Sequence, residues 1–398
     1  MVYDMKIVFV SNYFNHHQRP LCEALLPLCD SFFFIATTEM REERKKLGYA
    51  FEEPPYVIRA YVGDGADRAK QMLASADVVI RGSAVGELSK PVYYRGKTVF
   101  YYSERVYKRG CRRWLLPLRA VQFYFKYTWR QNSMLLCASG YAAYDFSLTR
   151  TFRGKCYRWG YFPETKRYDI KKLIAQKNPQ KILWCGRLID WKHPELAVET
   201  AARLRNAGVD FSMDIIGSGA MESALRKQIE DHGLADRVKL LGSMPPQKTR
   251  EHMERAGILL FTSDRQEGWG AVLNEAMNSG CAVVASDAAG SVPFLLKNGE
   301  NGFSFHSGDS AELFEKTRVI LKQPALAAAL GEAAYETIST TWNAETAARR
   351  LLQFAEYDCA EHSLPPAYES GPLSKAPIIR DFETKEEFLS CKRKEASD

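Results

Sequence analysis

Short apolar runs alternate with helix-period patterns along most of the chain, and the alternation occurs twice. In the first half, strands are predicted at Lys6–Ser11, Ser31–Ala36, Val78–Arg81, Thr98–Tyr102 and Met134–Ala138, with helices at Pro20–Leu28, Arg112–Gln131 and Ala142–Leu148. In the second half, strands are predicted at Lys181–Cys185, Ser212–Ile216, Val238–Leu241, Ile258–Thr262 and Ala282–Ser286, with helices at Met221–His232, Gln247–Ala256, Ala271–Ser279 and Ala311–Lys322. Solid apolar runs are strands buried on both faces, and their alternation with helices is the pattern of a parallel sheet wrapped by helices. The polar, proline-containing segment Phe162–Gln180 separates the two halves. The pattern therefore predicts an α/β chain with two doubly wound domains, residues 1–165 and 166–340, facing each other across a cleft. Residues 341–398 follow as an amphipathic helix at Asn343–Glu356, crossing back onto the first domain, and an irregular tail rich in Pro, Ser and charge. Ligands of such folds bind outside the carboxyl ends of the strands.

Composition narrows the setting. The 398 residues are 46% hydrophobic and 26% charged, which is ordinary for a globular protein. A net charge of +7 mildly favours an anionic partner. Nine cysteines without a C-x-x-C pair suit a reduced compartment better than a disulfide framework. The apolar run in MVYDMKIVFVSNYF is short for a signal peptide, and no segment reaches the ~20 apolar residues of a membrane span. A cytoplasmic protein is expected, either free or peripheral on the inner face of a membrane.

Three pieces of the second half follow predicted strands and should converge on one sheet edge. CGRLIDWKH supplies Arg187 and Lys192, a forked and a point-like cation suited to phosphate. IIGSGAM supplies Gly217 and Gly219, which allow backbone to approach a ligand. EGWGAVLNEAM supplies a glycine-relieved turn and then a helix from Ala271, whose free N–H groups make an anion site. Glu275 on that helix can accept from ribose hydroxyls, and Glu267 before it can reach the group the diphosphate carries. Each piece has a plainer alternative: surface ion pairs for the cations, an ordinary turn for G-S-G, and compensation of the helix dipole for the two glutamates.

Their joint order resembles the donor-binding domain of family four glycosyltransferases, which have two Rossmann-like domains in the GT-B arrangement. The matching pieces are G-R-x4-K at Gly186–Lys192, G-x-G at Gly217–Gly219, L-G at Leu241–Gly242, E-x7-E at Glu267–Glu275, E-A-M-x-x-G at Glu275–Gly280 and N-G at Asn301–Gly302. The resemblance implies that Arg187 and Lys192 hold the donor diphosphate. It implies that Glu267 contacts the transferred sugar, and that Gly186, Gly217, Gly219, Gly242, Gly268, Trp269, Gly270, Ala271 and Glu275 surround the nucleotide. It further implies retention of anomeric configuration without a bound metal or other cofactor. The absence of a D-x-D motif agrees with the last point, since protein cations and the helix end would then offset the leaving-group charge.

The sequence departs from the family at His193, where Gly is usual, and at Phe294, where Glu is frequent. The larger departure follows the first strand, where a Gly-Gly turn is frequent but the chain reads SNYFNHHQRP. Asn12, His16, His17 and Gln18 crowd that strand end, and Glu104 or Arg105 in YYSERVYK would face the cleft from another. Asn12, His16, His17 and Glu104 are the acceptor-side or acid/base candidates. The alternatives are a polar loop and helix N-cap for the first group and a surface ion pair for the second.

Between Arg105 and Arg130 the chain carries eight Lys/Arg, no Asp or Glu, and interleaved Trp, Phe and Tyr. This suits an anionic membrane interface. A helix packed on the first sheet with a basic outer face is the alternative. Nucleic acid binding is not expected, because no motif accompanies the basic-aromatic composition.

The function expected is transfer of a sugar from a nucleotide-diphosphate donor, with uridine favoured by family frequency, to a saccharide or lipid-linked saccharide in cell-surface polysaccharide or glycolipid synthesis. A nucleotide-sugar epimerase of the same architecture, or a non-catalytic sugar-nucleotide-binding subunit, are the alternatives. The former needs acid/base carboxylates in the first domain. The latter would dispense with Arg187, Lys192 or Glu267, and all three are present.

Overall fold

A computed structural model of the chain describes residues 3–40, 42, 52–83, 85–129, 131–359 and 367–380. The first domain holds seven parallel strands: β1 (Tyr3–Ser11), β2 (Cys29–Ala36), β3 (Val57–Arg59), β4 (Val78–Arg81), β5 (Thr98–Ser103), β6 (Asn132–Cys137) and β7 (Cys156–Arg158). They lie in the order β3-β2-β1-β4-β5-β6-β7. The second domain holds six: β8 (Asn178–Cys185), β9 (Ser212–Ile216), β10 (Val238–Gly242), β11 (Ala256–Phe261), β12 (Ala282–Ser286) and β13 (Phe303–Phe305), in the order β10-β9-β8-β11-β12-β13. The strand order reverses between β1 and β4 in one sheet and between β8 and β11 in the other. Crevices open at such reversals, because the crossovers on either side leave in opposite directions.

The central strands are apolar on both faces, as their sequences require. Ile7 and Phe9 of β1 pack on one side of the first sheet, and Val8 and Val10 on the other. Ile258 and Leu260 of β11 face one core, and Leu259 and Phe261 the opposite one. The cluster containing Phe9 also contains Leu259, Phe261 and Trp269, so one continuous core runs through the junction of the domains.

All ten strands expected from sequence are present within two or three residues at either end. β3, β7 and β13 were not expected; each is three residues long, too short to display a period. Helices at Gly65–Ser75, Ile170–Ala175, Pro194–Asn206, Val292–Leu295 and Pro324–Glu336 were also not expected. The predicted helix Arg112–Gln131 is broken: a 3-10 turn at Arg113–Leu115 leads to an α-helix at Leu116–Phe123 and a wider π-turn at Tyr124–Thr128.

The last helix, Ala344–Cys359, packs on the first domain against Arg19–Leu25, with Phe354 edge-on to Phe100 (5.9 Å) and Tyr157 (4.8 Å). Part of the tail expected to be irregular is paired. Leu373, Ser374 and Ala376 exchange backbone hydrogen bonds of 2.7–3.0 Å with Arg158 and Cys156, extending the sheet edge at β7. Among the described residues no helix is long and apolar enough to cross a membrane. The described cysteines are free thiols.

Candidate active site

The cleft between the domains has a volume of about 1200 Å³ and is walled by the carboxyl ends of both sheets. Ser11 and Ser103 come from the first, and Cys185 and Ile216 from the second. On the second domain, the loops after β8 and β11 flank the reversal of strand order. They are tied together: Trp184 Nε1 donates to Thr262 Oγ1 (2.8 Å), and Thr262 Oγ1 donates to the carbonyl of Lys192 (2.7 Å). Asp264 N donates to the carbonyl of Trp191 (3.0 Å).

These ties bring Lys192 and Glu267, 75 residues apart, into an ion pair with side chains only 13% and 10% exposed. Ser263 Oγ donates to the same carboxylate oxygen at 3.1 Å. Lys192 Nζ and the Arg187 guanidinium lie over the Trp191 ring, 4.9 and 5.4 Å from its centroid. Arg187 is exposed toward the cleft it lines. Arg187 and Lys192 thus line the same wall of the cleft, and Lys192 pairs directly with Glu267, a contact not expected from sequence.

The helix Ala271–Asn278 begins at Gly270 with φ +89°, has no side-chain cap, and opens on the cleft at Gly270, Ala271 and Val272. Its first turn contains no acidic residue. Glu267 lies before the helix and Glu275 is its fifth residue, so neither is placed to offset the helix dipole, which acts mainly on the first turn. Burial raises the Glu275 carboxyl above its ordinary range; Arg250 opposes this and Glu164 adds to it.

Four expectations need correction. Trp269 does not face the nucleotide seat with its ring. It is fully buried, donates to Asn274 Oδ1 at 2.8 Å and packs among Tyr161, Phe294 and Trp342. A side chain at Gly160 would strike it, its Cβ falling 2.2 Å from the indole. Gly217 and Gly219 make room for protein rather than for ligand alone: a Cβ on either would lie 1.8 Å from the Gly186 carbonyl oxygen or 2.3 Å from that of Leu188. Gly217 lines the cleft, whereas Gly219 and Gly242 lie outside its lining. Arg105 is not part of a basic surface. It is buried, donates to Asp145 Oδ1 at 3.2 Å and stacks on Tyr141.

The family departures also have physical reasons. His193 adopts φ +48°, the left-handed conformation that Gly takes at least cost. Here two carboxylates hold the ring, Glu195 at 2.7 Å and Asp264 at 3.5 Å. The hydrogen bond to Asp264, then that to Glu195, raise the imidazole to about 9 against the opposing effect of burial. Phe294 stacks on Trp342 at 6.0 Å.

The first domain contributes Asn12, His16, His17 and Glu104, and all four line the cleft. Glu104 reaches the second domain. A side chain on Gly268 would put its Cβ 2.0 Å from Glu104 Oε2, so the carboxylate rests on the turn next to Glu267. Tyr161 donates to Glu104 Oε1 at 2.5 Å, and Lys108 forms an ion pair with the other oxygen. The Tyr161 phenol, raised well above its ordinary range by burial, remains a neutral donor. The His16 and His17 rings lie with centroids 3.7 Å apart and planes tilted at 45°. Asn15, rather than either histidine, shapes the local turn, its Oδ1 accepting from His17 N at 3.0 Å.

His16, His17 and Glu275 each offer a ligand atom, and these lie within 4.8 Å of one another. Such a set could hold a divalent ion, and no local motif announces it because its members come from different domains. Arg81 and Tyr161, also in the cleft, were missed from sequence. Arg81 is a buried cation closing the apolar run of β4, and that position at a strand's carboxyl end was the available signal.

Both the sequence of the second domain and the overall fold resemble those of known proteins. Residues 165–337 match the family model for glycosyl transferases group 1. The amylovoran biosynthesis glycosyltransferase AmsK of Erwinia amylovora is 30% identical over 198 residues, 48% of either chain. A GDP-mannose-dependent phosphatidylinositol monomannoside mannosyltransferase of Mycobacterium tuberculosis is 23% identical over 200 residues, 49% of this chain and 52% of that one. The matched region thus spans about half the length of these curated relatives. Among solved structures, HepE of Anabaena in complex with UDP superimposes with a TM-score of 0.64 at 20% identity, covering 87% of this chain and 98% of that one. The sucrose-phosphate synthase of Thermosynechococcus elongatus superimposes with a TM-score of 0.65 at 18% identity, covering 89% and 99%. The two parallel-sheet domains share the fold of GT-B glycosyltransferase structures.

Proposed function

We propose, from a second domain that matches the group 1 glycosyl transferases, that this chain transfers a sugar from a nucleotide-diphosphate donor to a saccharide or lipid-linked saccharide, with retention of configuration. The observation that carries the reading is the Lys192–Glu267 pair, set beside Arg187 and the open N-terminus of helix Ala271–Asn278 on one wall of the cleft. Arg187, Lys192 and the helix amides would face the diphosphate and oppose the charge that grows on it as its bond to the sugar breaks. Glu275 would accept from the ribose. Glu267 would accept from sugar hydroxyls, with Lys192 and Ser263 fixing its carboxylate. The acceptor would enter from the first-domain side, past Glu104 and Arg81. Both glutamates near the sugar seat are already engaged, Glu267 by Lys192 and Glu104 by Lys108 and Tyr161, which favours attack from the leaving-group face over a free carboxylate nucleophile.

UDP is the proposed carrier by analogy with HepE, whose structures hold UDP and UDP-glucose. A surface polysaccharide is the proposed product class by analogy with AmsK and with the putative colanic acid biosynthesis glycosyltransferase WcaL of Escherichia coli. The test is calorimetric titration with UDP, GDP, ADP and TDP, followed by incubation of labelled nucleotide sugars with saccharide and with lipid extract. UDP binding and transfer of label are expected. Conversion of the donor to an epimer, or binding without transfer, would replace this reading.

A further inference from the structure

Residues 113–129 also carry a second set of apolar side chains, which stay at least half exposed. Phe123 and Tyr127 turn inward, where Tyr127 meets Phe146 and Phe152 at 5.7 and 5.5 Å. On the opposite side Trp114, Leu118, Val121 and Phe125 are 76%, 69%, 57% and 50% exposed. Leu118 and Val121 lie one turn apart on the α-helix Leu116–Phe123, and Trp114 in the preceding 3-10 turn and Phe125 in the following π-turn extend this exposed apolar stripe at either end. Tyr124, 53% exposed, flanks the stripe. Isolated exposed apolar residues are ordinary, but a contiguous stripe this size marks a contact surface.

Charge decides what covers it. No Asp or Glu occurs from Arg105 to Arg130. Arg105 and Lys108 are committed to Asp145 and Glu104, and Arg119 stacks on Tyr107. Arg109, Arg112, Arg113 and Lys126 remain exposed around the stripe, and exposed Arg95 joins them by stacking on Trp129. Arg130 lies outside the described residues. Trp and Tyr among Leu and Val, ringed by cations with no acid between them, suit the boundary between acyl chains and anionic headgroups. A water-soluble protein partner would face the same cations without a surface that takes up long apolar tips.

We propose that this face docks on an anionic lipid bilayer, with the stripe in the headgroup–acyl boundary and the arginines on lipid phosphates. The placement has a consequence for the cleft. Lys126 and Tyr127, at the end of the segment, line its first-domain wall. Docking would hold the acceptor side of the cleft beside the lipid surface. The docking itself does not depend on the proposed glycosyl transfer.

The full chain should sediment with vesicles of phosphatidylcholine and phosphatidylglycerol, and weakly with phosphatidylcholine alone. Trp114→Ser/Leu118→Ser/Val121→Ser, at exposed positions, should keep its circular dichroism and melting temperature and lose binding tenfold or more. Arg112→Gln/Arg113→Gln should lose about fivefold per charge at low salt and converge with wild type as salt rises. The proposal falls if wild type does not bind anionic vesicles, or if the serine variant binds them as well as wild type. It also falls if the serine variant loses a concentration-dependent dimer, seen by sedimentation velocity, while wild type ignores vesicles. The stripe would then be a contact between copies of this chain.

Discussion

Replacing Lys192 by Ala removes one partner of an ion pair whose side chains are 13% and 10% exposed. At ~3 Å and an effective dielectric of about 20, the gross attraction is roughly 5 kcal/mol, much of it offset by desolvation of the two charges. What matters is the residue left behind. After Lys192→Ala, Glu267 keeps the Ser263 hydroxyl but no fixed cation beside it, and about 3 kcal/mol of stability should be lost. Glu267→Gln is gentler: the amide can still accept from Ser263, and Lys192 keeps the face of Trp191, so about 1–2 kcal/mol is expected. The double variant removes both charges and should lose less than the sum of the singles, a coupling of about 2 kcal/mol. Urea-unfolding midpoints at unchanged slope measure this. Turnover with a nucleotide sugar should behave differently, because the double variant lacks both the cation for the diphosphate and the carboxylate for the sugar. Stability should partly recover in the double variant while turnover stays at the level of the worse single. Additive stabilities, with coupling below about 0.5 kcal/mol, would refute the buried pair. Wild-type turnover in the double variant would place the chemistry elsewhere in the cleft.

Arg187→Ala should leave the melting temperature unchanged, because the side chain is exposed, and should weaken UDP binding about tenfold or more; an unchanged calorimetric Kd would contradict this. Glu275→Gln should raise the donor Michaelis constant, leave turnover largely intact and not lower the melting temperature, since burial already disfavours the charged carboxyl. Loss of stability with unchanged kinetics would make Glu275 structural. His193 is held at about 9, above the ~6.5 of an unfolded chain, so its stabilisation is full below about pH 6.5 and disappears as pH rises through about 9. His193→Gly should therefore destabilise at about pH 6 and become neutral or stabilising near pH 10, where relief of the left-handed conformation, about 1 kcal/mol, dominates; equal effects in urea melts at both pH values would refute the two ion pairs. EDTA should leave transfer intact, and loss of activity restored by magnesium or manganese would show that a metal completes the site.

The sequence by itself determined the two sheets and the order of their central strands along the chain, and it pointed to Arg187, Lys192 and Glu267, which the fold gathers on one wall of the cleft. Strands buried on both faces must be apolar throughout, so β1, β4, β11 and β12 read as solid runs. Glycines and cations immediately after such runs were legible for the same reason: a parallel sheet delivers every strand's carboxyl end to one edge. The three-residue edge strands carried too little pattern, and Pro324–Glu336, nearly all small and apolar, too little contrast. Local sequence could not reveal what crosses between loops or domains. Lys192 meets Glu267 because β8 and β11 are neighbours although β9 and β10 lie between them in the chain. Glu104 meets Gly268, and the histidine pair meets Glu275, because the two sheets face each other with their carboxyl ends opposed. Trp269 turned inward because Gly160, over a hundred residues earlier, leaves its indole a space. Local propensity sets what each segment can be. Which charges neutralise one another, and which ring is buried, depends on strand order and domain closure, and only the folded chain supplies those.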